Sequence, residues 1–439
     1  LGLHPAQDFG AHAAAALAGT QLDTAQAHLD HLCGDHLLQH GTPGRYTFHD
    51  LIRAYATARA HDEDRPPERR TALTRLFDHY LGTAATAMDT LHPAEARLRP
   101  RIPPPATPAP DLMDPDTALG WLDAERPTLV AVAAHAATHG WPVQTTRLSR
   151  ILYRYLAGGH HADALTVHGH AHRAACHTGD PTGQAHALTG LGVAYMRLGR
   201  RRLAAEHLQQ ALDLFRRADD PAGQARTLGN LGNVETLLGH HRTATDHYQQ
   251  ALFLCRQTGN REGEAQALNS LGEVEVRLGR YGPAGDHLGP ALSLFRQLGN
   301  RTGEAWTLET LGTLHTHLGQ PAHAAAHHQQ ALTISRETGD RESEADGLNG
   351  LGEAASAAGN HADALTHHTA ANSLATDIDH RDQLARAHAG LGHAHHDLGN
   401  PTRARHHYEH ALALYTELGM PEADQIRAHL TTLAPSSAT

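Results

Sequence analysis

The sequence predicts a mainly α fold, a right-handed superhelix built from about seven stacked helix pairs of a fixed 40-residue length. Three periodic columns carry this reading. Leu-Gly falls at 191/192, 231/232, 271/272, 311/312, 351/352 and 391/392. A second glycine follows at 199, 239, 279, 319, 359 and 399. Alanine recurs at 204, 244, 284, 324, 364 and 404, and again at 211, 251, 291, 331, 371 and 411. A period of this length marks a stack in which each unit packs on its neighbours and presents a long face for binding.

The first 140 residues do not repeat. Residues 11–18 and 24–33 read as short helices, Leu37–His40 and Arg45–Phe48 as the strands of a hairpin around Gly41-Thr42-Pro43-Gly44, and Asp50 to about Ala60 as a helix. Helix, helix, two-stranded wing and helix is a winged-helix pattern, assigned to residues 1–62. DNA binding is disfavoured, because the candidate recognition helix Asp23–Asp35 carries three aspartates and no arginine to reach phosphate or guanine. Residues 63–144 read as a connector: a helix over Pro67–Thr90, a Pro-rich extended stretch over Arg99–Asp111, and a helix over Thr117–His139 anchored by Trp121.

The solenoid is assigned to 145–420 and a capping helix and tail to 421–439. In one repeat, Asp180 caps a first helix (A) that starts at Pro181, and Gly199 supplies the positive-φ stop. A second helix (B) then runs from about Arg202 to Ala218. Asp220, Asn260, Asn300 and Asp340 are the later caps, and Arg216, Arg256, Arg296 and Arg336 put positive charge at the ends of B helices. Gly192 and Ala204 are small where two helix backbones approach.

Leu191-Gly192, Tyr195, Ala204, Leu208 and Ala211 resemble the tetratricopeptide repeat (TPR), lengthened from its usual ~34 residues as in the peptide-binding adaptors of the kinesin light chain kind. Few β-branched residues argue against propeller blades, and the Leu-Gly…Ala order against HEAT repeats. Phe48-His49-Asp50-Leu51-Ile52-Arg53-Ala54-Tyr55-Ala56, directly after the wing, resembles the Met-His-Asp motif of NB-ARC ATPases of the STAND signalling class, with Phe48 in place of Met. Leu1-Gly2-Leu3-His4-Pro5…Asp8-Phe9 and Trp121-Leu122-Asp123-Ala124-Glu125-Arg126 are similar to segments of actinomycete regulators of the AfsR type. The resemblance implies that His49 senses the β-phosphate of ADP, with ADP or ATP held by an NB-ARC domain. The chain opens on Leu1 rather than Met, and the expectation is a fragment whose parent carries that domain upstream.

The columns that line the inner groove of such a stack hold Arg226, Asn230, Asn233, Asn269, Glu273, Trp306, Glu309, Asn349, Glu353 and Arg386. Asparagine both donates and accepts, so this set is the expected surface for a protein or peptide ligand. The histidine column 207, 247, 287, 327, 367 and 407 reads as partly buried B-helix packing, since neighbours ~10 Å apart cannot share an ion whose bonds are ~2 Å. No metal site and no catalytic set is expected. Gly190-Leu191-Gly192, Gly350-Leu351-Gly352 and Gly390-Leu391-Gly392 lie within helices and are not dinucleotide loops.

All 36 basic residues are arginine, so the chain itself can form neither a P-loop nor a Schiff base. A formal charge of −11 opposes nucleic-acid or anionic-membrane binding. Three scattered cysteines fit a reduced, cytoplasmic setting. The expected function is a non-enzymatic sensor and interaction arm of an NB-ARC/TPR regulator, transcriptional in output. A stand-alone TPR scaffold is the alternative, and a His-rich metal-binding protein a remote one.

Overall fold

The computed structural model describes residues 1–433, apart from the side chains of Ala94 and Leu98. The chain forms two compact units, Leu1–Leu238 and Gly239–Thr439. Among the described residues, no helix is long and apolar enough to cross a membrane.

Unit 1 opens with a small sheet and three helices: β1 (Asp8–Gly10), α1 (Ala11–Ala18), α2 (Leu22–Gly34), β2 (Gln39–His40), β3 (Arg45–Thr47) and α3 (Asp50–Glu63). The strand order is β1-β3-β2, all antiparallel, with Phe9 opposite Tyr46. β1 was not expected, because three residues are too few for alternation to show. Its place is fixed from outside the strand: Arg45 of β3 reaches Asp8 at 2.5 Å and Glu125 at 2.6 Å. The two motif segments also meet. Arg53 donates to the Pro5 carbonyl at 2.9 Å, and Thr57 to the Gly2 carbonyl at 2.8 Å.

The connector consists of α4 (Pro66–Leu91), a 3-10 turn (Pro93–Leu98), an extended stretch and α5 (Pro115–Thr138). One hydrophobic cluster runs from Phe9 through Phe77, Leu122 and Leu152 to Ala194. It crosses both the 62/63 and the 144/145 boundaries drawn from sequence, so these segments share a core. Trp121 is only partly buried against that cluster, and Leu122 is the fully buried anchor.

The repeats in unit 1 are α6 (Pro142–Ala157), α7 (His161–Thr178), α8 (Pro181–Arg197), α9 (Arg201–Arg217) and α10 (Pro221–Leu237). Unit 2 holds α11 (His241–Thr258), α12 (Arg261–Arg277), α13 (Tyr281–Leu298), α14 (Arg301–His317), α15 (Pro321–Thr338), α16 (Arg341–Ala357), α17 (His361–Asp377), α18 (Arg381–Asp397), α19 (Pro401–Leu418) and the terminal α20 (Glu422–Thr432). From α6 to α19 the helices alternate A and B along the chain, seven of each, as the periodicity predicts.

Local chemistry sets these bounds. Asp180, Asp220, Asn260, Asn300 and Asp340 each accept a hydrogen bond from the backbone N–H three residues on, a cap worth ~1 kcal/mol. Gly199 ends α8 with φ +71°. Ala204, Ala284, Ala324, Ala364 and Ala404 are 0 % exposed, and a Cβ on Gly192 would sit 2.6 Å from Leu208. Small residues thus let A and B backbones approach. The arginines at B-helix ends do more than meet a dipole. Arg256, Arg296 and Arg336 reach Glu264, Glu304 and Glu344 on the next A helix at 2.8–2.9 Å, each pairing an exposed guanidinium with a largely covered carboxylate and so fixing the register of B helix on A helix.

Candidate functional site

The A helices place a polar column along one face of each unit. In unit 2, Arg386 of α18 reaches back to α16. It grips both oxygens of Glu353, at 2.6 and 2.8 Å, and also bonds Asp346. Burial pushes the Glu353 carboxyl up, but the Arg386 guanidinium overrides it and holds it down at about 2. Arg386 is therefore satisfied by its own chain.

Asn349 departs from the expected ligand surface. It is 0 % exposed, its amide donates to Gln383 at 2.9 Å, and its oxygen faces His368 Nδ1 at 3.1 Å. Both ends are used inside the stack, so Asn349 braces helices and does not face a ligand. Glu309, 6 % exposed, lies 2.6 Å from His328 Nδ1 and is also interior. Trp306 stands 40 % exposed on α14. Asn269 is half-buried, and its Oδ1 has no partner among the described residues. Glu273 pairs with Arg277 one turn on at 3.1 Å. Trp306, Asn269 and Glu273 are the members of unit 2 that remain open to a partner.

In unit 1, Arg226 of α10 donates to His186 Nδ1 of α8 at 2.7 Å, and its guanidinium lies 5.7 Å from the centre of the Tyr153 ring on α6. Asn230 donates to the Tyr153 hydroxyl at 3.4 Å, and Asn233 is exposed one turn later. Burial, and then the charges of Arg226 and Arg150, press His186 down to about 2, so it is a neutral acceptor. The structure thus brings Arg226 and Asn230 together and adds Tyr153 and His186. Both additions fall in the same 40-residue columns as Asn233 and Arg226, so extending those columns upstream would have found them.

His49 is exposed and occupies the N-cap position of α3, where its side chain makes no capping bond. The cap falls on His49, and Asp50 is the first helical residue. The histidine column at 207, 247, 287, 327, 367 and 407 is half-buried throughout. Among the described residues, no group of three or more His, Cys, Asp or Glu could hold a metal ion. A second histidine set was not foreseen: His168, His328 and His368 are buried at a B-helix core position where other repeats carry Leu or Tyr. Near the end of the array, His388 and His407 bring their Nδ1 atoms to 3.1 Å, and each is lowered to about 4, first by burial and then by neighbouring imidazoles. The faces are built from donors, acceptors and fixed charges, which suits binding.

The tetratricopeptide repeat profile matches residues 183–257, 263–337 and 343–417, more than half of the chain. The regulatory protein AfsR of Streptomyces griseus is 34 % identical over 220 residues, which is 50 % of this chain and 22 % of that protein. AfsR of Streptomyces coelicolor is 37 % identical over 141 residues, 31 % of this chain and 14 % of that protein. The chain thus spans less than a quarter of these curated relatives. A signal transduction ATPase with numerous domains and a TPR sensor, from Pyrococcus horikoshii, aligns with TM-score 0.52 at 14 % identity, covering 97 % of this chain and 63 % of that one. The apo form of RapI aligns with TM-score 0.51 at 14 % identity, covering 63 % of this chain and 98 % of that one. At such identities the structural likeness speaks for fold alone. With periodicity, capping, packing and profile in agreement, the chain belongs to the tetratricopeptide repeat family, as an array related in sequence to the AfsR regulators.

Proposed function

We propose that this chain is the sensor and interaction arm of an AfsR-like regulator, binding a protein or peptide on its A-helix faces and restraining an ATPase switch. The observation that carries the reading is the coupling of an array related to AfsR to the exposed His49 at the start of α3. That position suits hydrogen bonding to a phosphate held by an NB-ARC domain. Beside it, Leu51 and Tyr55 are 77 % and 65 % exposed. They form an apolar strip one turn apart, the kind of surface a packed domain covers. The array contributes binding and no chemical step, and transcription is the output that the AfsR relationship suggests.

The test is reconstitution with the ATPase domain of an AfsR regulator. Adding this chain should slow ADP release, and His49→Ala or Tyr55→Ser should relieve the restraint. Identical ADP release with and without the chain removes the switch and leaves a stand-alone TPR scaffold, a reading that the polar A faces also support.

A further inference from the structure

Arg226 and Arg386 occupy the same column four repeats apart, and their surroundings differ in one respect. Arg386 finds Asp346 one repeat upstream and Glu353 two turns beyond it. The equivalent residues before Arg226 are His186 and Val193. The guanidinium is kept and both carboxylates are gone. Arg226 makes no ion pair among the described residues, and its Nε is buried without a partner. A second cation belongs to the same face: Arg150, one turn before Tyr153 on α6, is half-buried and has no hydrogen bond or ion pair among the described residues.

Two arginines brought together in a partly desolvated face repel one another, and an unpaired buried charge is costly. Burial, and next the charge of Arg226, lower the Arg150 guanidinium; the charges of Asp220 and Asp180 oppose this. Each of those aspartates also caps a helix, accepting from the backbone N–H of Gly223 or Gly183 through one oxygen. His186 is neutral and serves only as acceptor to Arg226. The Tyr153 ring flanks the guanidinium, and the Asn230 amide lies beside the Tyr153 hydroxyl. Among the described residues no carboxylate hydrogen-bonds or ion-pairs with either guanidinium, and Asp220 and Asp180 act on Arg150 through their charge alone.

We infer that Arg226 and Arg150 form an anion site on the A face of unit 1 that takes the side-chain carboxylates of an acidic peptide segment. The ligand supplies what Asp346 and Glu353 supply to Arg386. A planar guanidinium suits a carboxylate bidentately, and Tyr153 and Asn230 offer a ring and an amide to the adjoining peptide. This deepens the groove-binding part of the proposed function and rests on it.

The test uses the whole chain and a dye-labelled, C-terminally amidated peptide of alternating Glu and Ala, followed by fluorescence anisotropy. The Glu peptide should bind, more weakly as salt rises, and its Gln counterpart should not. Arg226→Gln and Arg150→Gln should each weaken binding about tenfold, while Arg202→Gln, an equal charge loss on the exposed side of α9, should leave it unchanged. The double change His186→Asp with Val193→Glu rebuilds the internal counter-ions of Arg386 and should abolish binding while the melting temperature holds or rises. Equal losses with Arg202→Gln, binding retained by the double variant, or binding of inorganic phosphate without the Glu peptide would each overturn the inference. Should the ATPase restraint respond to Trp306→Ala but not to Arg226→Gln, the groove reading stands and this site falls.

Discussion

The Nδ1 of His328 lies 2.6 Å from Oε2 of Glu309, on the inner side of unit 2, and both side chains are more than nine-tenths buried. Their other polar atoms, Nε2 of His328 and Oε1 of Glu309, have no partner among the described residues. Burial raises the Glu309 carboxyl to about 7, opposed by its bond to His328. An acid raised on folding binds more protons folded than unfolded between its ordinary value and the raised one. Its contribution to stability therefore falls as pH climbs from about 4.5 to about 7. Glu309→Gln, which fixes the neutral form, should remove this slope. Subtracting the variant's melting temperatures from the wild type's across pH 5 to 7 should give a difference that declines with pH; a flat difference rules out the titration.

His168 acts in the opposite sense. It is 2 % exposed, its Nδ1 lies 2.7 Å from the Ser149 hydroxyl, and burial lowers it to about 4. A histidine held neutral in the fold is protonated first in the unfolded chain. Its stabilisation is complete above pH ~6.5 and is lost as pH falls toward ~4, by up to ~3 kcal/mol. His168→Leu with Ser149→Thr copies the Leu208/Thr189 pair of the next repeat. This double variant should lose less stability than the wild type between pH 6.5 and 4.5, measured by urea denaturation. Equal losses would place the acid sensitivity elsewhere.

The same histidines account for the Gly-Leu-Gly triplets. A Cβ on Gly190 would stand 2.6 Å from the His168 ring, and one on Gly350 or Gly390 would clash with His328 or His368. After repeats with Leu or Tyr at that core position, the first glycine is replaced by Asn230, Ser270 or Thr310. Gly190→Ala should therefore cost ~1–3 kcal/mol, and the cost should shrink below ~1 kcal/mol in the His168→Leu background. A double-mutant cycle by chemical denaturation measures this coupling, and additive costs would refute it.

The pairing of histidine with glycine is written in the sequence but spans two helices. Period, caps and helix bounds were legible because each repeat restates the same local rules six times. The triplets lie within helices, and their physical cause emerges only when the columns at 168 and 190 are compared across the repeats. Asn349 was misjudged because helical spacing places a residue on a face without saying whether a histidine on the next helix consumes its amide. Arg226 and Arg386 look alike in one column, and only the residues forty and thirty-three positions earlier separate the unpaired cation from the paired one. β1 depends on Arg45 tying Asp8 to Glu125, a contact between distant segments that no local pattern encodes.

The repeat also exposes two positions where the chain carries strain. B helices close on a left-handed residue, and Gly179, Gly259, Gly299, Gly339 and Gly419 supply it with φ of 66–69°. The same position holds Asp219, with φ 49°, and Asp379, with φ 52°. A side chain in this region crowds the following carbonyl, at ~1 kcal/mol, although aspartate tolerates it better than most residues. Glycine relieves the crowding but adds freedom to the unfolded chain, which takes back part of the gain. Asp219→Gly and Asp379→Gly should thus each stabilise by ~0.5 kcal/mol, and the two should add because they lie in separate units. Denaturation midpoints of the single and double variants test this. A loss of stability at either site would mean that the aspartate carboxylate makes a compensating contact to the helix end.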